Sequence, residues 1–170
     1  MEFLPITSAE DHRVKEIYAS YTTTFPIDEQ RDKEQFAGLF SNPHVKFMSV
    51  VHESETAGYL ILWELSSFVF VEHFEVFESF RSKKLGSQIM GYLLENYPQI
   101  ILEIEPADLS EDASRRYSFY QRNNFSLIDT TYIQPSYGVG KRSLNLWLLA
   151  NYSPDNVEDL KKEICDTVYP

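Results

Sequence analysis

The feature that most constrains the fold is a strand–helix–strand pattern in the middle of the chain. The run Phe68–Phe77 is the most β-prone stretch, rich in Phe and Val. In Leu85–Tyr97 apolar residues recur every four positions, which predicts a helix that Pro98 ends. Ile100–Glu105 then alternates as a strand does. A helix between two such strands predicts a crossover that returns the chain to the same sheet.

The rest of the chain supplies hairpins and further helices around this unit. Val45–His52 and Ala57–Leu65 flank a short polar turn and predict a β-hairpin. The other predicted elements are a strand at 2–7, helices from Ser8 to before Pro26 and at 28–40, a helix at 112–123, and strands at 125–134 and 144–150. The order β-α-α-β-β-β-α-β-α-β-β predicts an α+β fold with a mixed, mainly antiparallel sheet of about seven strands.

Length and composition predict a single domain. The 170 residues, 43% of them hydrophobic, suffice for one core, which we place at residues 1–150. Residues 151–170 are polar and acidic and predict a C-terminal tail or helix on the same domain. The net charge of −11 argues against nucleic-acid binding, because phosphate contacts need a basic face.

The sequence also favours a cytoplasmic protein. No apolar run approaches the length of about 20 residues that spans a bilayer, so no membrane association is expected. The first ten residues lack the pattern of a secretory signal. Cys165 is the only cysteine, which excludes an internal disulfide and fits a reducing compartment.

One short segment is basic although the chain as a whole is acidic. Arg81, Lys83 and Lys84 lie within four positions, between the central strand and the helix from Leu85. The amino end of a helix presents free N–H groups and a positive dipole end, so this turn predicts a site for an anion. From charge alone, a solvated basic turn explains the cluster equally well.

A second segment gives the turn a more specific meaning. Arg81-Ser82-Lys83-Lys84-Leu85-Gly86 follows the central strand, and Tyr120-Gln121-Arg122-Asn123-Asn124-Phe125 ends the helix after the next strand. Together they resemble the GNAT family of N-acetyltransferases, whose signature is Arg/Gln-x-x-Gly-x-Gly/Ala followed by Tyr-x-x-x-Gly-Phe. The resemblance covers Glu2 to Ala150 and implies the GNAT fold.

The resemblance implies acetyl-CoA as a co-substrate and no metal. In this family the pantetheine arm lies along the central strand and the pyrophosphate on the basic turn. The residues expected to bind it are Phe74, Val76, Arg81, Ser82, Lys83, Lys84, Leu85, Gly86 and Ser87. Two positions depart from the signature. Lys84 replaces a glycine, which we expect to be tolerated with φ below zero at the helix start. Asn124 replaces the glycine before Phe125 and is expected in the left-handed region.

The resemblance also implies a reaction and its residues. The acetyl group passes to an amine by direct attack, with the Val76 N–H polarising the thioester and Tyr120 protonating the leaving thiolate. From the residues themselves, Glu72 is the preferred base, because a carboxylate inside a β-rich run is costly to bury without a purpose. For each of these two side chains a purely structural role stays open.

The acceptor is expected to be a primary amine of a small molecule or peptide, and a cationic one. His73, Glu105 and Tyr132 are the candidate contacts, because acids and tyrosines around a cavity suit a cation. Two other functions remain open: an acyl-CoA-binding sensor or partner subunit with the same fold, and an interaction protein that docks through its acidic face. A homodimer that pairs across sheet edges is also expected.

Overall fold

A computed structural model gives the structure of residues 1–81 and 83–169. Seven strands form one sheet: β1 (Glu2–Pro5), β2 (Val45–His52), β3 (Glu55–Glu64), β4 (Val69–Val76), β5 (Ile100–Ile104), β6 (Ser126–Gln134) and β7 (Leu144–Ala150). Five α-helices accompany them: α1 (Val14–Thr24), α2 (Lys33–Gly38), α3 (Leu85–Asn96), α4 (Glu111–Arg122) and α5 (Val157–Val168).

The sheet is mixed and mainly antiparallel, with strand order β1-β2-β3-β4-β5-β7-β6. Its single parallel pair among the described residues is β4 with β5, the two strands joined by α3. The α+β class and the crossover predicted from the central pattern are therefore confirmed. So is the hairpin of β2 and β3, whose turn residues Glu53 and Ser54 both have positive φ.

Apolar residues cover both faces of the sheet. On one face Ile17 and Tyr21 of α1, Phe36 of α2 and Ile164 of α5 pack in one cluster. On the other face Ile89 and Leu93 of α3 and Tyr120 of α4 pack in a second cluster. β4 contributes to both, with Phe70 in the first cluster and Val71 in the second. This alternation makes β4 a central strand with helices over each side.

The single helix predicted at 28–40 is wrong. The chain instead forms a 3-10 turn at Ile27–Glu29, an extended residue at Gln30, α2, and a second 3-10 turn. Asp32 caps the start of α2: its side chain accepts a hydrogen bond from the Gln35 N–H, and the Gln35 side chain accepts one from the Asp32 N–H. This reciprocal capping box starts a new helix and explains the break.

The C-terminal helix packs on the same core as the rest. Ile164 and Val168 of α5 are fully buried in the first cluster. Asn156 caps the helix by accepting the N–H groups of Glu158 and Asp159. None of the helices in the described part of the chain is both long and apolar enough to cross a membrane.

Candidate active site

The central strands separate part of the way along their length. β4 and β5 pair only through Val69–Val71 with Ile100–Leu102. From His73 onward β4 continues to pair with β3, whereas β5 does not follow it. The two strands therefore open a gap in the sheet, and β4 presents an edge there in the middle of the molecule.

Backbone groups of β4 face this gap. The Phe77 N–H donates to the Ala57 carbonyl of the neighbouring chain segment at 2.9 Å. Since the N–H groups of successive residues point to opposite sides of a strand, the Val76 and Phe74 N–H groups point toward the gap. The Val76 carbonyl points there too, where it accepts the Arg81 Nε at 3.2 Å. This edge can pair with an extended ligand as a further strand would.

The amino end of α3 lies at one end of the gap. The first intrahelical bond runs from the Gln88 N–H to the Lys84 carbonyl, so the N–H groups of Leu85, Gly86 and Ser87 precede it. A Cβ at Gly86 would lie 3.2 Å from the Phe119 ring of α4, which explains a glycine at this position. Close packing of α3 on α4 therefore positions the helix terminus.

Lys84 does not adopt the expected conformation. Its φ is 61°, in the left-handed region, so the expectation of φ below zero is wrong. The glycine that the family signature has at this position suits such a φ because it has no Cβ. Asn124 has φ 67°, which confirms the left-handed residue expected after α4. Lys84 is exposed, so its ammonium is free to meet a ligand.

A cleft of about 1150 Å³ runs through the gap. Arg81, Lys84 and the first residues of α3 line one end of it. Tyr120 lines it on the α4 side, only 8% exposed and with its ring edge-on to Phe125. Burial raises the pKa of Tyr120 to about 12, against a smaller lowering by Arg116. The phenol therefore holds its proton at neutral pH.

Glu72 lies on the cleft wall but its carboxylate is already occupied. One oxygen accepts the Arg31 Nε at 2.8 Å and the Tyr137 hydroxyl at 2.7 Å. The other accepts the Trp63 indole N–H at 2.6 Å. Burial alone would raise the pKa of Glu72, but Arg31 and these donors hold it below the ordinary value. Such a carboxylate is a weak proton acceptor.

A β-bulge explains why His73 lies beside this carboxylate. The register of β3 with β4 shifts at Ile61, which makes Glu72 the extra residue. Glu72 and His73 therefore point to the same side of the sheet. The His73 Nε2 lies 3.4 Å from the hydroxyls of Tyr21 and Tyr137, and burial lowers the pKa of His73 to about 4. The imidazole is neutral at physiological pH.

The remaining predicted residues separate into two groups. Phe74, Val76, Ser87 and Glu105 line the cleft, and Glu105 forms an ion pair with Arg116. Tyr132 lies on β6 with only 1% of its surface exposed, and it does not line the cleft. The Lys83 ammonium lies 5.0 Å from the centre of the Phe80 ring. Ser82 lies outside the described residues.

Sequence reasoning did not single out several residues that line the cleft or support its wall. Arg31, the partner of Glu72, comes from the loop before α2, 41 positions away in sequence. Glu29 and Arg116 line the cleft, and Ser20 and Thr24 of α1 hold Glu75 beside it. None of these positions belongs to a motif, and their meeting depends on the tertiary fold.

The comparisons with known proteins agree with this geometry. A Bacillus subtilis (strain 168) protein that bears the name of an acetyltransferase, YjbC, is 29% identical over 110 residues, 64% of this chain and 55% of its own length. The chain thus spans about half the length of that relative. A GNAT-family structure from Bacteroides thetaiotaomicron is 26% identical with a TM-score of 0.91, covering 99% of this chain and 98% of its own.

A more distant structure shares the fold. A GNAT acetyltransferase from Elizabethkingia anophelis, solved with acetyl-CoA bound, is 14% identical with a TM-score of 0.61 over 88% of this chain and 95% of its own. The model of the acetyltransferase (GNAT) family matches residues 12–125, which is more than half of the chain. That span contains the split between β4 and β5, the amino end of α3 and Tyr120, and the chain belongs to the GNAT acetyltransferase family.

Proposed function

We propose that the protein is an acetyl-CoA-dependent N-acetyltransferase that moves an acetyl group to a primary amine by direct attack. The observation that carries this proposal is the cleft between β4 and β5, which joins the amino end of α3 to the buried Tyr120. Family membership and the acetyl-CoA bound to a structural neighbour support the choice of co-substrate.

The cleft has separate regions that suit the parts of acetyl-CoA. Its β4 edge offers the Phe74 and Val76 backbone groups to the amides of the pantetheine arm, as in strand addition. The N–H groups of Leu85 to Ser87, with Arg81 and Lys84, suit the pyrophosphate. Lys83, which lies over Phe80, contributes charge from outside the lining.

The reacting centre would lie between Val76 and Tyr120. The Val76 N–H, aimed into the gap, would stabilise the negative charge that develops on the thioester oxygen. The Tyr120 phenol, with its raised pKa, would donate a proton to the departing coenzyme A thiolate. Both groups are held by packed elements and need no rearrangement.

The other end of the cleft favours a cationic acceptor. Glu29, Glu103 and Glu105 line it there, and Arg116 is the cation that accompanies them. Burial and the neighbouring acids raise the pKa of Glu103 to about 8. An acceptor amine that arrives as an ammonium would stabilise the ionised form of these acidic side chains.

We assign Glu72 a positioning role in this proposal, in place of the base role expected from the sequence. Its oxygens accept hydrogen bonds from Arg31, Trp63 and Tyr137, which fixes the wall against which His73 lies. The sensor alternative rests on Lys84, whose side chain enters a turn where the family has glycine. The homodimer and the cytoplasmic location stay predictions.

The test measures binding and turnover separately. Acetyl-CoA should raise the melting temperature, because a ligand that binds only the native state stabilises it. A panel of primary amines, including diamines, amino sugars and peptides, is then incubated with acetyl-CoA while free thiol and acetylated amine are measured. Stabilisation with no acetylated product from any amine would favour the sensor. No stabilisation at high acetyl-CoA would overturn the proposal.

A further inference from the structure

The loop between α1 and α2 is fixed to its surroundings on both sides of Glu29. The Gln30 side-chain amide donates to the carbonyls of Thr22, at 3.0 Å, and Phe25. Asp28 accepts the Arg142 backbone N–H and the Arg142 Nε, each at 2.9 Å. Lys141 donates to the Gln30 carbonyl. These contacts hold the 3-10 turn at Ile27–Glu29 in one orientation.

Glu29 differs from its two neighbours because its side chain supports none of these contacts. It lines the cleft, half-buried, and its carboxylate has no hydrogen-bond or ion-pair partner within residues 1–81 and 83–169. A partly buried carboxylate without a partner is costly, so a rigid loop that keeps one in the cleft suggests a function.

The charged groups around Glu29 explain why it is left without a cation. Glu103 of β5, Glu105 just after β5 and Arg116 of α4 face it across the cleft, and Asp28 is beside it in the turn. Arg116, the cation that acts on Glu29, is already paired with Glu105, and Asp28 is paired with Arg142. Glu29 is thus partly removed from water and lies among acidic side chains.

We infer that Glu29 is the general base of the reaction and accepts the proton of the acceptor ammonium. The inference rests on the proposed N-acetyltransferase function and adds the residue that this function leaves unassigned, since the Glu72 carboxylate is occupied. The fixed loop places Glu29 on the cleft wall, and Tyr120 lies on the wall formed by α4.

The acidity of Glu29 supports this role. Burial, and then the charge of Glu105, raise its pKa to about 7. A carboxylate with a pKa near the working pH accepts a proton from an amine far better than a carboxylate with an ordinary pKa, and it is still partly ionised at that pH. Tyr120, with a pKa near 12, has the opposite character. Two groups in one cleft whose pKa values differ this much show the pattern expected for a base and an acid.

The proton balance of the step closes. Glu29 takes one proton from the ammonium, and the neutral nitrogen attacks the thioester carbon to form the C–N bond. The C–S bond then breaks, and the thiolate takes the Tyr120 proton. The second proton of the nitrogen restores the phenol. The net products are an N-acetyl amine, coenzyme A thiol and one proton released from Glu29 to solvent.

The experiment is the pH dependence of kcat/KM for an acetylated amine between pH 6 and 10, for wild type, Glu29→Gln and Glu29→Asp. The kcat/KM of the wild type should rise through pH 7 to a plateau, because ionised Glu29 then accepts protons from the abundant ammonium form of the amine. Glu29→Gln should lose on the order of 100-fold at pH 7 and regain rate toward the amine pKa of about 10.4. Glu34→Gln, an exposed change of equal charge on α2, should keep the wild-type profile.

The outcomes separate the base from a structural role and from failure of the parent proposal. Equal loss for Glu29→Gln at every pH would mean that only the loop was damaged, and an unchanged profile would mean that Glu29 takes no proton; either overturns the inference alone. The kcat/KM of Glu29→Asp should still rise with pH near pH 7. If it does not, the inference is overturned even if Glu29→Gln fails to fold. A wild type that acetylates no amine overturns both proposals.

Discussion

At the scale of single residues, burial has opposite consequences for Tyr120 and Glu72. Both side chains are almost inaccessible to solvent. Tyr120 has no hydrogen-bonding partner for its hydroxyl within residues 1–81 and 83–169, so desolvation raises its pKa and keeps it protonated at neutral pH. For Glu72 desolvation is also the largest single influence on the pKa, but Arg31, His73 and the hydrogen-bond donors together outweigh it and keep the carboxylate ionised. The partner therefore decides whether burial raises or lowers the pKa of such a group.

Replacing Tyr120 with Phe tests the proton donor. The ring keeps its packing against Phe125, so stability should change by less than about 1 kcal/mol, whereas kcat should fall on the order of 100-fold. Steady-state kinetics with free-thiol detection measure the rate. The control is Tyr117→Phe, on the same helix and packed on Trp147, which should retain wild-type kcat. A Tyr120→Phe enzyme as fast as wild type would exclude the phenol as the acid.

Glu103 makes stability depend on pH. Its folded-state pKa of about 8 lies above the ordinary value of 4.5, so the folded state binds the extra proton between these limits. The stability it contributes is complete below pH 4.5 and is lost as the pH rises toward 8. Urea unfolding at pH 6 and pH 9 should show a loss on the order of 3 kcal/mol that Glu103→Gln lacks. Equal losses in both proteins would contradict the assignment.

At the scale of elements, local pattern predicted those whose ends are determined locally. The apolar spacing of Leu85–Tyr97 and its Pro98 stop lie within one segment, and α3 ends within a residue of the prediction. The prediction of one helix at 28–40 was wrong because the chain before the Asp32 capping box is held by groups outside this segment. Gln30 and Asp28 bind partners outside the helix-forming segment, and a periodicity argument cannot register such contacts.

Substitutions of Lys84 test the conformation and the charge of the turn before α3. Its left-handed φ costs a non-glycine residue on the order of 1 kcal/mol, so Lys84→Gly should raise the free energy of unfolding by about that amount. Lys84→Ala removes the same ammonium without relieving the backbone, so it should not stabilise. Both should weaken acetyl-CoA binding by about fivefold in calorimetry, and less at high salt. A destabilised Lys84→Gly would show that the turn does not need φ above zero.

At the scale of the whole molecule, the cleft is supported by contacts between distant parts of the chain. Arg31 joins the α1–α2 loop to Glu72 of β4 and donates to the Val168 carbonyl of α5 at 2.7 Å. Tyr169 then donates to Glu103 of β5 at 2.6 Å. The motifs Arg81–Gly86 and Tyr120–Phe125 could be predicted because each is contiguous. This network could not, since its members are separated by up to 137 positions.

The C-terminal helix therefore stabilises both the core and the end of the cleft that is proposed to bind the acceptor. Ile164 is fully buried between α5 and the sheet, and Ile164→Ala should cost about 2–5 kcal/mol, through lost burial and the cavity that remains. Chemical denaturation measures this cost, with the exposed Lys162→Ala as a control that should stay within about 0.5 kcal/mol. Because α5 fixes Arg31 and Tyr169, the variant should also bind the acceptor more weakly well below its unfolding transition, with a raised KM for the amine. A KM equal to that of wild type, despite the lost stability, would show that the cleft keeps its acceptor wall without support from α5.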